Sequence, residues 1–166
     1  FHLGRFLSED LLGNISGSIK PFVEISNDGD VSFNLHRSNI TNVGFNDYNI
    51  SQIDIVEGSF KNNILKAGIK IDDENLILDM SCEVILGKRQ HISGQLNVER
   101  ANLDALNFTS DSSIVSTSIN VAISETKKSQ YEGDFMVSNI DYYRGTDSLM
   151  IPLSTISILN SPVNEH

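Results

Sequence analysis

Leu65-Lys66-Ala67-Gly68-Ile69-Lys70-Ile71-Asp72-Asp73-Glu74-Asn75-Leu76-Ile77-Leu78-Asp79-Met80-Ser81-Cys82-Glu83-Val84-Ile85-Leu86 decides the fold. Apolar residues occupy every second position: Leu65, Ala67, Ile69 and Ile71, then Leu76, Leu78, Met80, Cys82, Val84 and Leu86. A period of two places them on one face of an extended strand. The two runs are joined only by the polar residues 72–75. A parallel crossover needs about a dozen residues or more, so the stretch reads as an antiparallel hairpin.

The pattern spreads in both directions. Downstream come Ile92, Gly94, Leu96 and Val98, then Ile119, Val121 and Ile123, then Tyr131, Gly133, Phe135 and Val137. Upstream, Ile19, Val23 and Ile25 precede Val31, Phe33 and Leu35. Connections carry turn chemistry at Asn27-Asp28-Gly29-Asp30, Asn62-Asn63 and Gly87-Lys88-Arg89. This predicts an all-β protein, an antiparallel meander of roughly eight to ten strands at ordinary strand length. Two short helical turns are expected. One is at Ser8-Glu9-Asp10-Leu11-Leu12, with Ser8 as N-cap, and the other at Ala101-Asn102-Leu103-Asp104-Ala105-Leu106. At Ile53-Asp54-Ile55-Val56 the apolar phase slips from odd to even positions, which reads as a β-bulge.

Four glycines sit between apolar residues two positions away on either side: Ile15-Ser16-Gly17-Ser18-Ile19, Val56-Glu57-Gly58-Ser59-Phe60, Ile92-Ser93-Gly94-Gln95-Leu96 and Tyr131-Glu132-Gly133-Asp134-Phe135. They lie 41, 36 and 39 residues apart (58−17, 94−58, 133−94). Each glycine removes bulk from the apolar face, where a sheet bends or another group comes close. Recurrence at this spacing points to an extended array whose units pack on their neighbours.

Composition narrows the function classes. The 166 residues suffice for one domain. Twelve Lys+Arg against 22 Asp+Glu give a net charge of −10, which argues against nucleic acid as a partner. Aromatic residues are 7% of the chain with no Trp, too few for the stacking platforms of single-strand binding sites. No apolar run reaches 18 residues, so no transmembrane helix is expected. With Phe1 in place of Met, the expectation is a segment of something longer.

Catalytic, metal-binding and cofactor motifs are not found. His2, His36, His91 and His166 are far apart, none with a ligand or acid at motif spacing. Cys82 falls on an apolar strand face and reads as a small hydrophobe. Asp72, Asp73 and Glu74, like Asp28 and Asp30, read as solvated hairpin tips, and no loop matches a calcium ligand ladder. The expectation is therefore no enzyme, no cofactor and no metal.

A succession of short motifs resembles the repeated β region of the TamB family, the AsmA-like translocation and assembly module, in its Bacteroidetes-type form. It runs through Phe1-His2-Leu3-Gly4-Arg5-Phe6-Leu7, Tyr48-Asn49-Ile50, Gly58-Ser59-Phe60-Lys61-Asn62-Asn63 and Ile71-Asp72-Asp73-Glu74-Asn75-Leu76 with Leu78-Asp79. It then continues through Ala101-Asn102-Leu103-Asp104-Ala105-Leu106-Asn107, Glu132-Gly133-Asp134-Phe135, Tyr142-Tyr143-Arg144 and residues 153–158. The resemblance implies that residues 1–166 form one interior segment of an elongated open β-groove, taco-shaped, in a longer protein. That protein would be anchored in the inner membrane of a Gram-negative bacterium and span the periplasm. It would carry phospholipid between the two membranes and support outer-membrane biogenesis with a barrel partner of the Omp85 type. On this resemblance Ile19, Val23, Leu65, Ile69, Ile71, Leu76, Leu78, Met80, Val84, Leu96, Val98, Ile119, Val121, Phe135 and Val137 are expected to line a groove for acyl chains. Gly17, Gly58, Gly94 and Gly133 would be its low points. The alternative is a closed β-sandwich, a binding or scaffold module for outer-membrane protein assembly, whose apolar face meets a second sheet.

Overall fold

The computed structural model describes residues 16–25, 31–35, 38–87, 89–127 and 130–159. They form a single open antiparallel sheet that does not close into a barrel. Its strands are β1 (Ser16–Ser18), β2 (Pro21–Ile25), β3 (Val31–Leu35), β4 (Ser38–Phe45), β5 (Tyr48–Lys61) and β6 (Ile64–Asp72). They are followed by β7 (Leu76–Ile85), β8 (His91–Asn102), β9 (Ser113–Lys127), β10 (Gln130–Arg144) and β11 (Asp147–Leu159). From β4 to β11 every strand pairs with the next in sequence, as the short connections require. β1 pairs with β4, while β2 pairs with β3 and β3 with β5. The eleven strands among the described residues exceed the eight to ten expected.

Turn chemistry sets the hairpins. Asn62 and Asn63 both take positive φ, 52° and 61°, and close the Lys61–Ile64 pair. Asn46 and Asp47 do the same between β4 and β5, at 48° and 62°. Positive φ at both central residues matches the twist of the flanking strands, and Asn and Asp tolerate it. The expected turn at 27–30, Lys88 of the turn at 87–89, and the helical turn at 8–12 lie outside the described residues, and Gly87 takes a positive φ of 150°. Residues 101–106 do turn: Leu106 donates its N–H to Asn102 O and Phe108 to Leu103 O. No helix forms there, because Ala101 and Asn102 still belong to β8.

The phase slip in β5 is a bulge. Ile55 pairs with Ile69 and Glu57 with Gly68, leaving Val56 as the extra residue. Ile53 and Ile55 before it therefore share a face with Gly58 and Phe60 after it. β5 is also divided along its length. Residues 48–55 pair with β4, whereas β6 takes only residues 54–61 on the other edge. The β4–β5 hairpin thus runs on past the end of β6 without a ladder to it. The core lies there: Val43 and Ile50 of the hairpin pack on Ile71, with Ile40, Phe45, Tyr48, Ile53, Leu76 and Leu78 around them.

Candidate functional site

Register alone sorts the side chains into two faces. One row crosses the sheet through Ile55, Ile69, Met80, Leu96, Ile119 and Val137. The next runs Gly58, Ala67, Cys82, Gly94, Val121, Phe135 and Ile156. A third runs Phe33, Phe60, Leu65, Val84, Ile92, Ile123 and Gly133. The middle row is small where the outer rows are large, so the apolar face carries a shallow channel over β6–β8. On the reverse face the rows are polar: Asp54, Lys70, Asp79, Asn97, Ser118 and Ser138, for example, or Glu57, Gly68, Ser81, Gln95 and Asn120.

Most residues in the apolar rows are half-buried, shielded by neighbours in the same face, and no described strand forms a second layer over them. Ile92 is 38% exposed and Ile156 60%. Across β5–β11 the rows span about 29 Å at ~4.8 Å per strand.

Of the expected lining residues, Leu65, Ile69, Met80, Val84, Leu96, Ile119, Val121, Phe135 and Val137 fall in these rows. Val23 joins the third row through its pairing with Phe33. Ile71, Leu78 and Val98 form a fourth row. Leu76 joins the same face but is packed, like Leu78, against the core cluster, and Ile71 itself is only 4% exposed. These three are covered by the protein's own β4–β5 hairpin. Ile19 stands between strands, 57% exposed, outside any row. Ile55, Phe60, Ile92 and Ile123 join the face although they are not among the expected lining residues. The signal for them was the same alternation, once the extra residue at Val56 is counted.

The four glycines do not share one row. Gly58 and Gly94 do, Gly133 lies one row away, and Gly17 pairs with Ile40 elsewhere. Their surroundings differ too. A Cβ on Gly58 would meet Leu35 Cδ1 at 2.7 Å, so that low point is already filled from within. At Gly133 a Cβ would meet the β9 backbone, Ile123 Cα at 2.7 Å, so only glycine allows that approach. Gly94 is flanked by Val121 Cγ1 at 3.2 Å and Ser81 O at 3.3 Å, and remains a dip in the face.

A polar cluster fastens the covered end. Asp73, buried, accepts hydrogen bonds from Tyr48 OH, from Asn75 N (3.0 Å) and, more weakly, from Ser51 N and Oγ (3.5 and 3.4 Å). Burial pushes its carboxyl upward, but the bonds from Tyr48, Asn75 and Ser51 outweigh that and hold it below the ordinary value of 3.8. Tyr48 is raised above 10.0 by burial and by its bond to Asp73, against a smaller opposing effect of Asn75. At the hairpin tip Asn46 Nδ2 donates to Leu106 O and Asn107 O, and Asn107 Nδ2 donates back to Asn46 O, each at 2.8 Å.

On the polar face Lys66 and Glu83 form an ion pair at 3.3 Å, and His91 Nδ1 meets Ser124 Oγ at 2.8 Å. The same face holds an open depression of about 480 Å³ over Ser81, Ser93, Gln95 and Asn120, rimmed by Glu57, Lys66 and Met136. A twisted sheet is saddle-shaped and can be hollow on both faces along different diagonals. Cys82 is a half-buried free thiol within the apolar channel. Among the described residues no group of three or more His, Cys, Asp or Glu side chains is placed to hold a metal. Comparison of the chain with protein-family models, with curated proteins and with solved structures finds no match in any of the three.

Proposed function

We propose that the apolar face is a lipid-contacting surface, one interior stretch of a TamB-like periplasmic bridge along which phospholipid acyl chains pass between the membranes. The observation that carries this reading is the set of three adjacent apolar rows, continuous from β5 to β10 and half-exposed on an open sheet. A patch of that extent needs a cover. An acyl chain about 15 Å long, half a bilayer's ~30 Å hydrocarbon core, fits within its span. Each CH₂ placed against such a wall gains about 0.8 kcal/mol wherever along it the chain lies, so sliding breaks no specific bond. The closed-sandwich alternative needs a second sheet over this face, and no described strand supplies one. The membrane anchor, the barrel partner and phospholipid as cargo rest on the sequence resemblance.

The test places a photocrosslinking residue at Leu96, in an apolar row, or at Asn97, in a polar one. Lipid adducts at Leu96 and not at Asn97 are expected, and Leu96→Glu in the full-length protein should block transfer. Equal adducts at both positions would end the proposal.

A further inference from the structure

The β4–β5 hairpin is attached differently from every other hairpin between β4 and β11. Residues 48–53 have no backbone ladder to β6, whose pairing with β5 begins at Asp54, next to the Val56 bulge. What holds the hairpin across the sheet is side-chain chemistry at two points. One is the Asp73 carboxylate on Tyr48 and Ser51; the other is the reciprocal Asn46–Asn107 clasp, 61 residues apart in sequence. Between them Val43 and Ile50 sit on Ile71, and Phe45 on Phe108 with ring centroids 5.7 Å apart. The closed arrangement also carries a penalty. Asn102, whose Nδ2 donates to Asn75 Oδ1 beside the first clasp, keeps its own Oδ1 buried with no hydrogen-bond partner, a cost carried next to that clasp. A segment with no backbone ladder to the strand it lies against can open as a unit apart from the sheet. Here that separates Val43 and Ile50 from Ile71 while β4 keeps its short ladder to β1.

We propose that the β4–β5 hairpin is a hinged flap that occupies the end of the apolar face and yields it to an acyl chain when the two clasps release. This rests on the lipid-contacting reading of that face. The hinge is at Asp54, where β5 leaves its pairing with β6, two residues from the bulge at Val56. Opening uncovers Ile71, Leu76 and Leu78, adding the Ile71–Leu78–Val98 row to the three already exposed. Occupant and flap compete for the same apolar side chains, so ligand binding and flap closure oppose each other.

The experiment compares three forms of the 166-residue chain by hydrogen exchange and by titration with the fluorescent fatty acid cis-parinaric acid. They are the wild type, an unclasped Tyr48→Phe/Asp73→Asn form, and an Asn46→Cys/Asn107→Cys form in a Cys82→Ala background, bridged with a short bis-thiol reagent. Flap amides 43–51 should exchange faster than those of β7 in the wild type. Unclasping should speed them about tenfold to a hundredfold, the range expected for losing hydrogen bonds to a charged group, with β7 and β8 unchanged. Parinaric acid should bind several-fold more tightly to the unclasped form than to the bridged one. If flap and β7 amides exchange together in wild type and unclasped forms alike, the hinge does not exist. If the flap opens separately but all forms bind parinaric acid equally, gating is wrong and the lipid reading survives. If none binds it, the lipid reading itself fails. Should the unclasped form not fold, the bridged protein before and after addition of the reagent gives the same comparison within one sequence.

Discussion

The two ends of the strands make the same sheet and two different materials. At the end of the sheet that carries the β4–β5 hairpin lie the buried apolar residues Val43 and Ile50 of the hairpin with Ile71, Ala101 and Leu106, all between 3 and 6% exposed. Along the Ile55–Val137, Gly58–Ile156 and Phe33–Gly133 rows no side chain larger than Gly58 reaches that level, though alternation and pairing are as regular. A ladder of backbone bonds therefore does not imply a core. The covered end is a small globular interior, whereas the open run is held by its ladder and by cross-strand contacts within one face.

Truncation is the most direct way to break that comparison. Ile50→Ala and Ile71→Ala remove fully covered side chains and should each cost about 2–4 kcal/mol. Met80→Ala and Leu96→Ala, half-hydrated in the open rows, should cost about 1 kcal/mol, since much of their surface already meets water. Urea midpoints of the four variants measure this. Equal losses in the two regions would mean that the open face is covered in solution.

Acidity sharpens the comparison locally. Asp73 has its carboxyl held below the ordinary 3.8, so its contribution is complete above that value and is lost as pH falls through the folded-state value. Tyr48 lies above 10.0, so its contribution is complete below 10.0 and disappears as pH rises through its folded-state value. Flap protection measured by hydrogen exchange should accordingly be level near neutrality and fall at both extremes, with β7 and β8 protection less affected. Asp73→Asn should remove the acid limb and Tyr48→Phe the alkaline one.

Much of the open region was legible in the sequence, and the covered end was not. Leu65 to Val84 alternate visibly, their turns are short, and the slip before Gly58 announces the Val56 bulge. The flap is harder to read, because Val43 with Phe45 and Tyr48 with Ile50 alternate like residues of any half-buried strand. The slips from Ile40 to Val43 and from Ile50 to Ile53 mark an irregular ladder at Asn42 and Ser51 without showing what the hairpin covers. What makes it a flap is a mismatch of lengths: β5 runs back to Tyr48 while β6 stops at Asp72. Asp73 was misleading in the same way. In sequence it is one acid among three in a polar turn, and only the approach of Tyr48 and Ser51, more than twenty residues away, makes it a buried acceptor. The glycine spacing read as one recurring device resolves into separate ones: Gly58 receives Leu35, Gly133 admits the β9 backbone, and Gly94 leaves a dip.

The smallest expected effect lies on the polar face, and it tests whether the open run draws strength from that side. Lys66 and Glu83 are cross-strand partners with their charged groups 3.3 Å apart, and their side chains remain 45% and 36% exposed. Water screens such a pair, and ordering two long side chains offsets much of the attraction. A double-mutant cycle with Lys66→Ala and Glu83→Ala should give a coupling of about 0.5 kcal/mol at low salt. Near 1 M salt the Debye length falls to about 3 Å, and the coupling should vanish. A coupling several times larger that persists in salt would show the pair shielded from water. The polar depression beside it would then be an occupied surface, and the open run would be a layer with partners on both faces.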